Sequence, residues 1–100
     1  MKTIYKCLIP SSGRFTLPLP KNSLILTVQV QRESPVVWAL VDTEKAIVKR
    51  KFCSIGTGEK INDGLEDDLF YIGSFQLNDG ELVFHLFEII GESSRLRGSY

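Results

Sequence analysis

The chain contains few of the side chains from which metal and nucleophile sites are built. It has one histidine and two cysteines among its 100 residues. Cys7 and Cys53 form no Cys-x-x-Cys pair, and His85 has no second histidine, so the sequence excludes the common zinc patterns. Nucleotide hydrolysis ordinarily needs metal carboxylates or paired histidines. We therefore expect no catalytic residues, no metal and no cofactor, and we expect both thiols to be reduced.

The chain also lacks an excess of charge of one sign and a long apolar run. Twelve basic and twelve acidic side chains cancel, so the positive field that drives non-specific nucleic-acid binding is absent. Lys6 and Pro10 interrupt the apolar residues near the N-terminus, which argues against a signal-peptide core or a membrane span there. We expect a cytoplasmic protein without membrane association and without non-specific nucleic-acid binding.

What the sequence does contain is β-patterning. Residues 24–31 alternate apolar with mostly polar side chains at a period of two, which is typical of a half-buried strand. Residues 36–41 are apolar at every position, which is typical of a central strand, and we expect Trp38 to anchor the core. Pro18 and Pro20 are expected to prevent regular pairing, so the short segment before them is not counted as a strand.

The clearest segment is a final hairpin at 70–90. Two apolar runs flank Asn78-Asp79-Gly80, whose glycine suits the left-handed position of a tight turn. About six strands and no long helix predict an all-β fold, a small antiparallel β-sandwich or partly open barrel. We expect one domain at 1–90 and a polar tail at 91–100. A central strand that is apolar on both faces needs cover, so we also expect a homo-oligomer.

The turn at Gly56-Thr57-Gly58 is a candidate anion-binding site because it follows a predicted strand. Glycine has no Cβ, so backbone amides there can approach a phosphate closely. Arg50, on the preceding strand, would supply a cationic donor to the same ligand. The alternative interpretation is a plain turn at a strand end, beside a solvated basic face.

Three ring-bearing residues complete this hypothesis. Trp38 and Tyr71 each offer a ring face for stacking a nucleobase and a polar group for orienting it. His85 alternates with Val83 and Phe87, and a neutral imidazole there can contact a ligand or be held within the core. The candidate ligand-binding residues are Arg50, Gly56, Thr57, Gly58, Trp38, Tyr71 and His85.

The segment 59–68 is the compositional outlier, because it holds five acidic residues and a single lysine. It lacks the alternating oxygen ligands of a calcium loop. The simplest interpretation is a solvated loop. In the alternative, its carboxylates imitate nucleic-acid phosphates toward a basic partner, and the candidate partner-binding residues are Glu66, Asp67 and Asp68.

Five strings in order carry a family resemblance. They are VQVQ at 28–31, VVWALVD at 36–42, IGTG at 55–58, YIGSFQL at 71–77 and ELVFHLFE at 81–88. Together they resemble a small uncharacterised all-β domain of bacteriophages and prophage-bearing bacteria. The resemblance implies a viral accessory protein that acts in the host bacterial cytoplasm, and it brings no assigned activity with it.

Two functions follow from these observations. In the first, the protein is an anti-defence factor that binds and sequesters an anionic small molecule, such as a nucleotide immune signal. In the second, it is an inhibitor or assembly component that occludes a host protein through a strand edge or through the acidic loop. Both are non-enzymatic, and they differ in whether the partner is a nucleotide-like molecule or a protein.

Overall fold

The computed structural model describes residues 1–91, which form seven strands in two antiparallel sheets. One sheet has the order β1-β4-β3 and the other the order β2-β5-β7-β6, and within these residues they do not close into a barrel. The predicted all-β fold, a small antiparallel sandwich or partly open barrel, is therefore confirmed, with seven strands rather than about six. The elements are β1 (Lys2–Leu8), β2 (Gly13–Pro20), β3 (Leu24–Gln31), β4 (Ser34–Asp42), β5 (Ile47–Gly56), a 3-10 helix (Leu65–Asp68), β6 (Leu69–Leu77) and β7 (Leu82–Ile89).

The strand that the sequence did not predict is β2, which runs straight through both prolines. It pairs with β5 from Gly13 opposite Ser54 to Pro20 opposite Ile47. The Lys21 N–H donates to the Ala46 carbonyl at 2.7 Å. Because antiparallel bonding alternates, the backbone N–H and carbonyl groups of the even-numbered residues of β2 point away from β5. Pro18 and Pro20 are even-numbered residues of an edge strand, where no amide hydrogen is needed. The prediction that they prevent pairing was wrong for this reason.

The core lies between the inner faces of the two sheets. β4 is the middle strand of its sheet, as predicted, and its alternate residues point into this core. The Phe15 ring stacks on the Phe52 ring at 5.5 Å, and the Phe75 ring stacks on the Phe84 ring at the same distance. The buried cluster consists of Ile9, Leu17, Leu19, Val28, Val37, Ala39, Val41, Phe52, Phe75 and Leu86.

Trp38 does not belong to this core, so its predicted anchoring role was wrong. It lies between Val37 and Ala39, which are both fully buried, and alternation along a strand therefore directs it to the opposite face. Its side chain is half-buried there, and its Nε1–H donates to the Gln29 Oε1 at 2.8 Å. The uniform apolar character of this strand concealed which of its two faces meets the other sheet.

A β-bulge changes the phase of β3. The register with β4 shifts between Ile25 and Thr27. The alternation predicted for residues 24–31 would place Leu24, Leu26, Val28 and Val30 on one buried face, and it fails in its first half. Leu24 and Leu26 are 59% and 48% exposed, while Val28 is buried. An extra residue at a bulge moves each preceding side chain of the strand to the opposite face of the sheet.

The final hairpin is confirmed. Leu77 pairs with Leu82 across the turn, and Gly80 has a φ of 87°, which is the left-handed conformation that the sequence predicts for it. Of the predicted tail at 91–100, all residues after Gly91 lie outside the described part of the chain. Among residues 1–91, no helix has the length and apolarity needed to cross a membrane.

Candidate functional site

Arg50 is paired with Glu88 on the inner face of the four-stranded sheet. Its Nη2 donates to the Glu88 Oε1 at 2.8 Å, and its Nη1 donates to the Ser23 carbonyl at 2.6 Å. The two side chains are only 20% and 11% exposed. The hydrogen bond with Glu88 raises the pKa of Arg50. This guanidinium is therefore held inside the sandwich.

Thr57, His85 and Tyr71 meet on the outer face of the same sheet. The Thr57 Oγ1 lies 2.8 Å from the His85 Nε2, and the Tyr71 hydroxyl lies 3.2 Å from the His85 Nδ1. Each ring nitrogen of His85 therefore has one hydroxyl partner, and the tautomer decides which hydroxyl donates and which accepts. The Tyr71 ring also packs edge-on against Phe87 at 5.2 Å. The structure thus brings together three of the predicted ligand-binding residues and orients the imidazole from both sides.

In the glycine turn beside them, a backbone N–H is already bonded to the carboxylate of the nearby Glu59. The Gly56 N–H donates to the Glu59 Oε1 at 2.7 Å, and the Thr57 N–H donates to the Val83 carbonyl at 2.9 Å. Gly58 has a φ of 86°, which shapes the turn. The Glu59 carboxylate therefore holds the position at Gly56 that a phosphate oxygen would need.

The remaining predicted ligand residues are spread over different faces. Arg50 points inward, opposite Leu17 in the register. Trp38 is on the outer face of the three-stranded sheet, and Tyr71 is on the outer face of the other sheet. A depression beside the β6–β7 turn has a volume of about 470 Å³, and none of the candidate ligand residues lines it. Arg50, Trp38 and His85 are thus not brought into one cavity.

The acidic segment forms a loop and one 3-10 turn. Glu66 and Asp67 are exposed in the 3-10 helix, whereas Asp68 is partly buried and its carbonyl accepts a hydrogen bond from the Ile90 N–H at 2.8 Å. Two of the three candidate partner-binding residues are therefore free to contact a partner. In the described part of the chain, no three histidine, cysteine or acidic side chains are grouped as a metal site.

The outer face of the three-stranded sheet carries exposed apolar side chains beside Lys2 and Lys6, and of these apolar residues only Trp38 was named as a candidate site residue from the sequence. Ile4, Leu40 and Leu24 face each other across its three strands. Ile4, Leu8 and Leu24 are 56%, 69% and 59% exposed. The signal was present in the apolar residues on both faces of β4. We call this surface the outer apolar face, and it consists of Ile4, Leu8, Leu24, Leu26, Trp38 and Leu40.

The edge of β1 adjoins this face and has neither a proline nor a bulge. Native edge strands commonly carry a proline, a bulge or charged side chains that hinder pairing with another chain, and of these β1 has only Lys2 and Lys6. The other three edges have such a device: β2 has its prolines, β3 is bulged between Ile25 and Thr27, and β6 is bulged between Tyr71 and Gly73. β1 pairs with β4 without a register shift over its whole length and contains no proline.

Hydrogen bonds at both ends of β1 show which of its backbone groups are open. The Thr43 N–H donates to the Met1 carbonyl at 2.8 Å, and the Ile9 N–H donates to the Pro35 carbonyl at 3.2 Å. Antiparallel bonding alternates, so the odd-numbered residues bond to β4. The open backbone groups of β1 are those of Lys2, Ile4, Lys6 and Leu8.

Comparison with known proteins gives a family without an assigned activity. No curated protein and no solved structure matches the chain. One family model, described as a domain of unknown function (DUF7352), matches residues 1–96. Because that match covers nearly the whole chain, the protein belongs to the DUF7352 family.

Proposed function

We propose that this domain is a non-enzymatic protein-binding domain whose contact surface is the β1 edge together with the outer apolar face. The observation that carries the proposal is the regular, unpaired edge of β1 beside exposed aliphatic side chains. A partner strand added to such an edge gains main-chain hydrogen bonds, and side chains on the adjoining face give specificity.

The outer apolar face supplies the hydrophobic part of this contact. Contiguous apolar surface on a soluble domain marks an interaction site more often than isolated exposed residues do. Ile4, Leu8, Leu24 and Leu26 are each about half to two-thirds exposed. Covering the exposed part of such a side chain is worth roughly 1 kcal/mol. Four of them contribute about 4 kcal/mol in all, and strand hydrogen bonds must add to this to outweigh the entropic cost of association.

An anionic small molecule is supported less well by this geometry. Its proposed cationic donor, Arg50, is held by Glu88, and the Gly56 amide is held by Glu59. A phosphate would have to displace a carboxylate at the Gly56 amide. The protein-binding proposal needs no such rearrangement, because the β1 edge is already open.

Site-specific photocrosslinking in cells that produce the protein tests the proposal. A photoreactive benzophenone amino acid replaces Leu8 on β1 or, as a matched control, Thr16 on the opposite edge strand β2. We expect a discrete protein adduct from position 8 and none from position 16. Lys6→Pro, which removes an outward N–H of β1, should abolish the adduct while the isolated domain still unfolds cooperatively. Equal labelling from both positions, or an adduct that survives Lys6→Pro, would overturn the proposal.

A further inference from the structure

We propose that the strand bound at the β1 edge is β1 of a second copy of this chain, antiparallel to the first, with Tyr5 on the two-fold axis. This inference rests on the proposed function, because it names the occupant of the same edge. The result would be a six-stranded sheet that spans two copies, with the outer apolar face continuing from one copy into the other.

The hydrogen-bonding pattern selects this register. The outward backbone groups belong to Lys2, Ile4, Lys6 and Leu8, since the odd-numbered residues bond to β4. With Tyr5 on the axis, Ile4 lies opposite the partner's Lys6, and Lys2 lies opposite the partner's Leu8. Every outward N–H and carbonyl of β1 then finds a partner. Registers centred on Ile4 or Lys6 leave one end of the strand unpaired.

Charge selects the same register. An axis at Ile4 places Lys2 opposite the partner's Lys6, and an axis at Lys6 places that lysine opposite its own copy. Like charges directly opposite on paired strands are destabilising. With the axis at Tyr5, each lysine faces an aliphatic side chain, along which its methylene stem can pack. Lys2 and Lys6 therefore disfavour the registers centred on Ile4 and Lys6 and favour the register centred on Tyr5.

The inner side of β1 is compatible with this arrangement. Tyr5 lies opposite Ala39 in the register, on the core side, yet it is 38% exposed because no strand covers its free flank. Across the axis the two Tyr5 residues would form a non-hydrogen-bonded pair, with Cα atoms about 4.5 Å apart. Thr3 would lie opposite the partner's Cys7. A second copy thus covers the open margin of the core.

Disulfide trapping under mild oxidation tests the register, with Cys7→Ala as the background. In that background Tyr5→Cys should form a covalent dimer, because a separation of about 4.5 Å lies within the range that a disulfide spans. Thr3→Cys should form one only when Cys7 is restored, since those two residues face each other across the axis. Trapping by Thr3→Cys without Cys7, or failure at both positions, would overturn the proposal.

Sedimentation equilibrium tests the edge itself. Lys6→Pro removes an outward N–H that β4 does not use, so the monomer should fold while the dimer dissociation constant rises at least about tenfold. Thr16→Pro is the matched control, because it removes an outward N–H from β2 and should leave the dimer intact. A wild-type protein that stays monomeric, or equal effects of the two prolines, would overturn the inference. A Leu8 adduct with a different protein would leave the proposed function standing.

Discussion

The two sheets differ in which of their groups are already bonded within the chain. In the four-stranded sheet, Arg50 bonds to Glu88 on the inner face, and His85 bonds to Thr57 and Tyr71 on the outer face. The three-stranded sheet instead exposes aliphatic side chains and the backbone of β1. The polar residue types that usually indicate ligand binding are here hydrogen-bonded to one another. The groups left open for a partner are aliphatic side chains and the backbone N–H and carbonyl groups of β1.

The largest effect is expected from breaking the internal ion pair. Glu88→Ala leaves the partly buried Arg50 guanidinium without its carboxylate, and breaking such a pair from one side costs up to about 3–5 kcal/mol. We expect a loss of that size in the free energy of unfolding, measured by urea denaturation. A loss under about 1 kcal/mol would show that Arg50 reaches solvent when Glu88 is removed.

The matched control replaces both partners together. Combining Arg50→Met with Glu88→Leu removes both charges and leaves apolar side chains of similar size between the sheets. Such replacements are often close to neutral, so the double variant should lose less stability than Glu88→Ala alone. This outcome would assign the cost to an uncompensated charge rather than to lost packing around β7.

A smaller effect is expected at the outer polar chain. His85→Ala removes both hydrogen bonds and a half-buried ring, which should cost about 1–2 kcal/mol. Tyr71→Phe removes one bond and keeps the ring on Phe87, so it should cost about 0.5 kcal/mol. Urea denaturation gives both values, and nitrogen NMR of His85 reports the tautomer. Equal losses in the two variants would mean that the Thr57 bond contributes nothing.

Much of the fold could be predicted because its signals are local. The turn glycine Gly80 and the two apolar runs around it specify the last hairpin, and the apolar run of β4 indicates a central strand. The prolines of β2 could not be interpreted locally, because their cost depends on whether the strand has neighbours on one side or both. The exposure of Leu24 depends on one bulged residue, which the alternating pattern of the sequence does not predict.

The site was less predictable because it depends on register and distance along the chain. Thr57, Tyr71 and His85 were each identified as candidates, but their meeting follows from the pairing of β5, β6 and β7. Arg50 was assigned to a ligand because Glu88 is 38 positions away in the sequence. The β1 edge was anticipated only as some strand edge, since the strand order and the bulges of β3 and β6 become visible only in the structure.

A pH effect is expected at the end of the three-stranded sheet. The Glu44 N–H donates to the Asp42 Oδ1 at 3.1 Å and, with the nearby N-terminal ammonium, holds the pKa of Asp42 below its usual value of 3.8. A lowered pKa stabilises the fold above the unfolded-state value, and that contribution is lost as the pH falls through the folded-state pKa. Carbon NMR titration of Asp42 measures the pKa directly. Asp42→Asn should flatten the stability profile below pH 4, and an unchanged profile would contradict this account.

The smallest effect on stability is expected on the outer apolar face. Leu24→Thr exchanges a side chain that is 59% exposed for a polar one with good strand propensity, so the free energy of unfolding, measured in dilute solution, should change by no more than about 0.5 kcal/mol. Leu19→Thr, at a fully buried position, is the contrast and should cost several times more. If Leu24→Thr weakens association while leaving the monomer unchanged, the leucine contributes to binding rather than to folding. A large loss in the monomer would instead show that this face stabilises the domain itself, and the contrast between the two sheets would disappear.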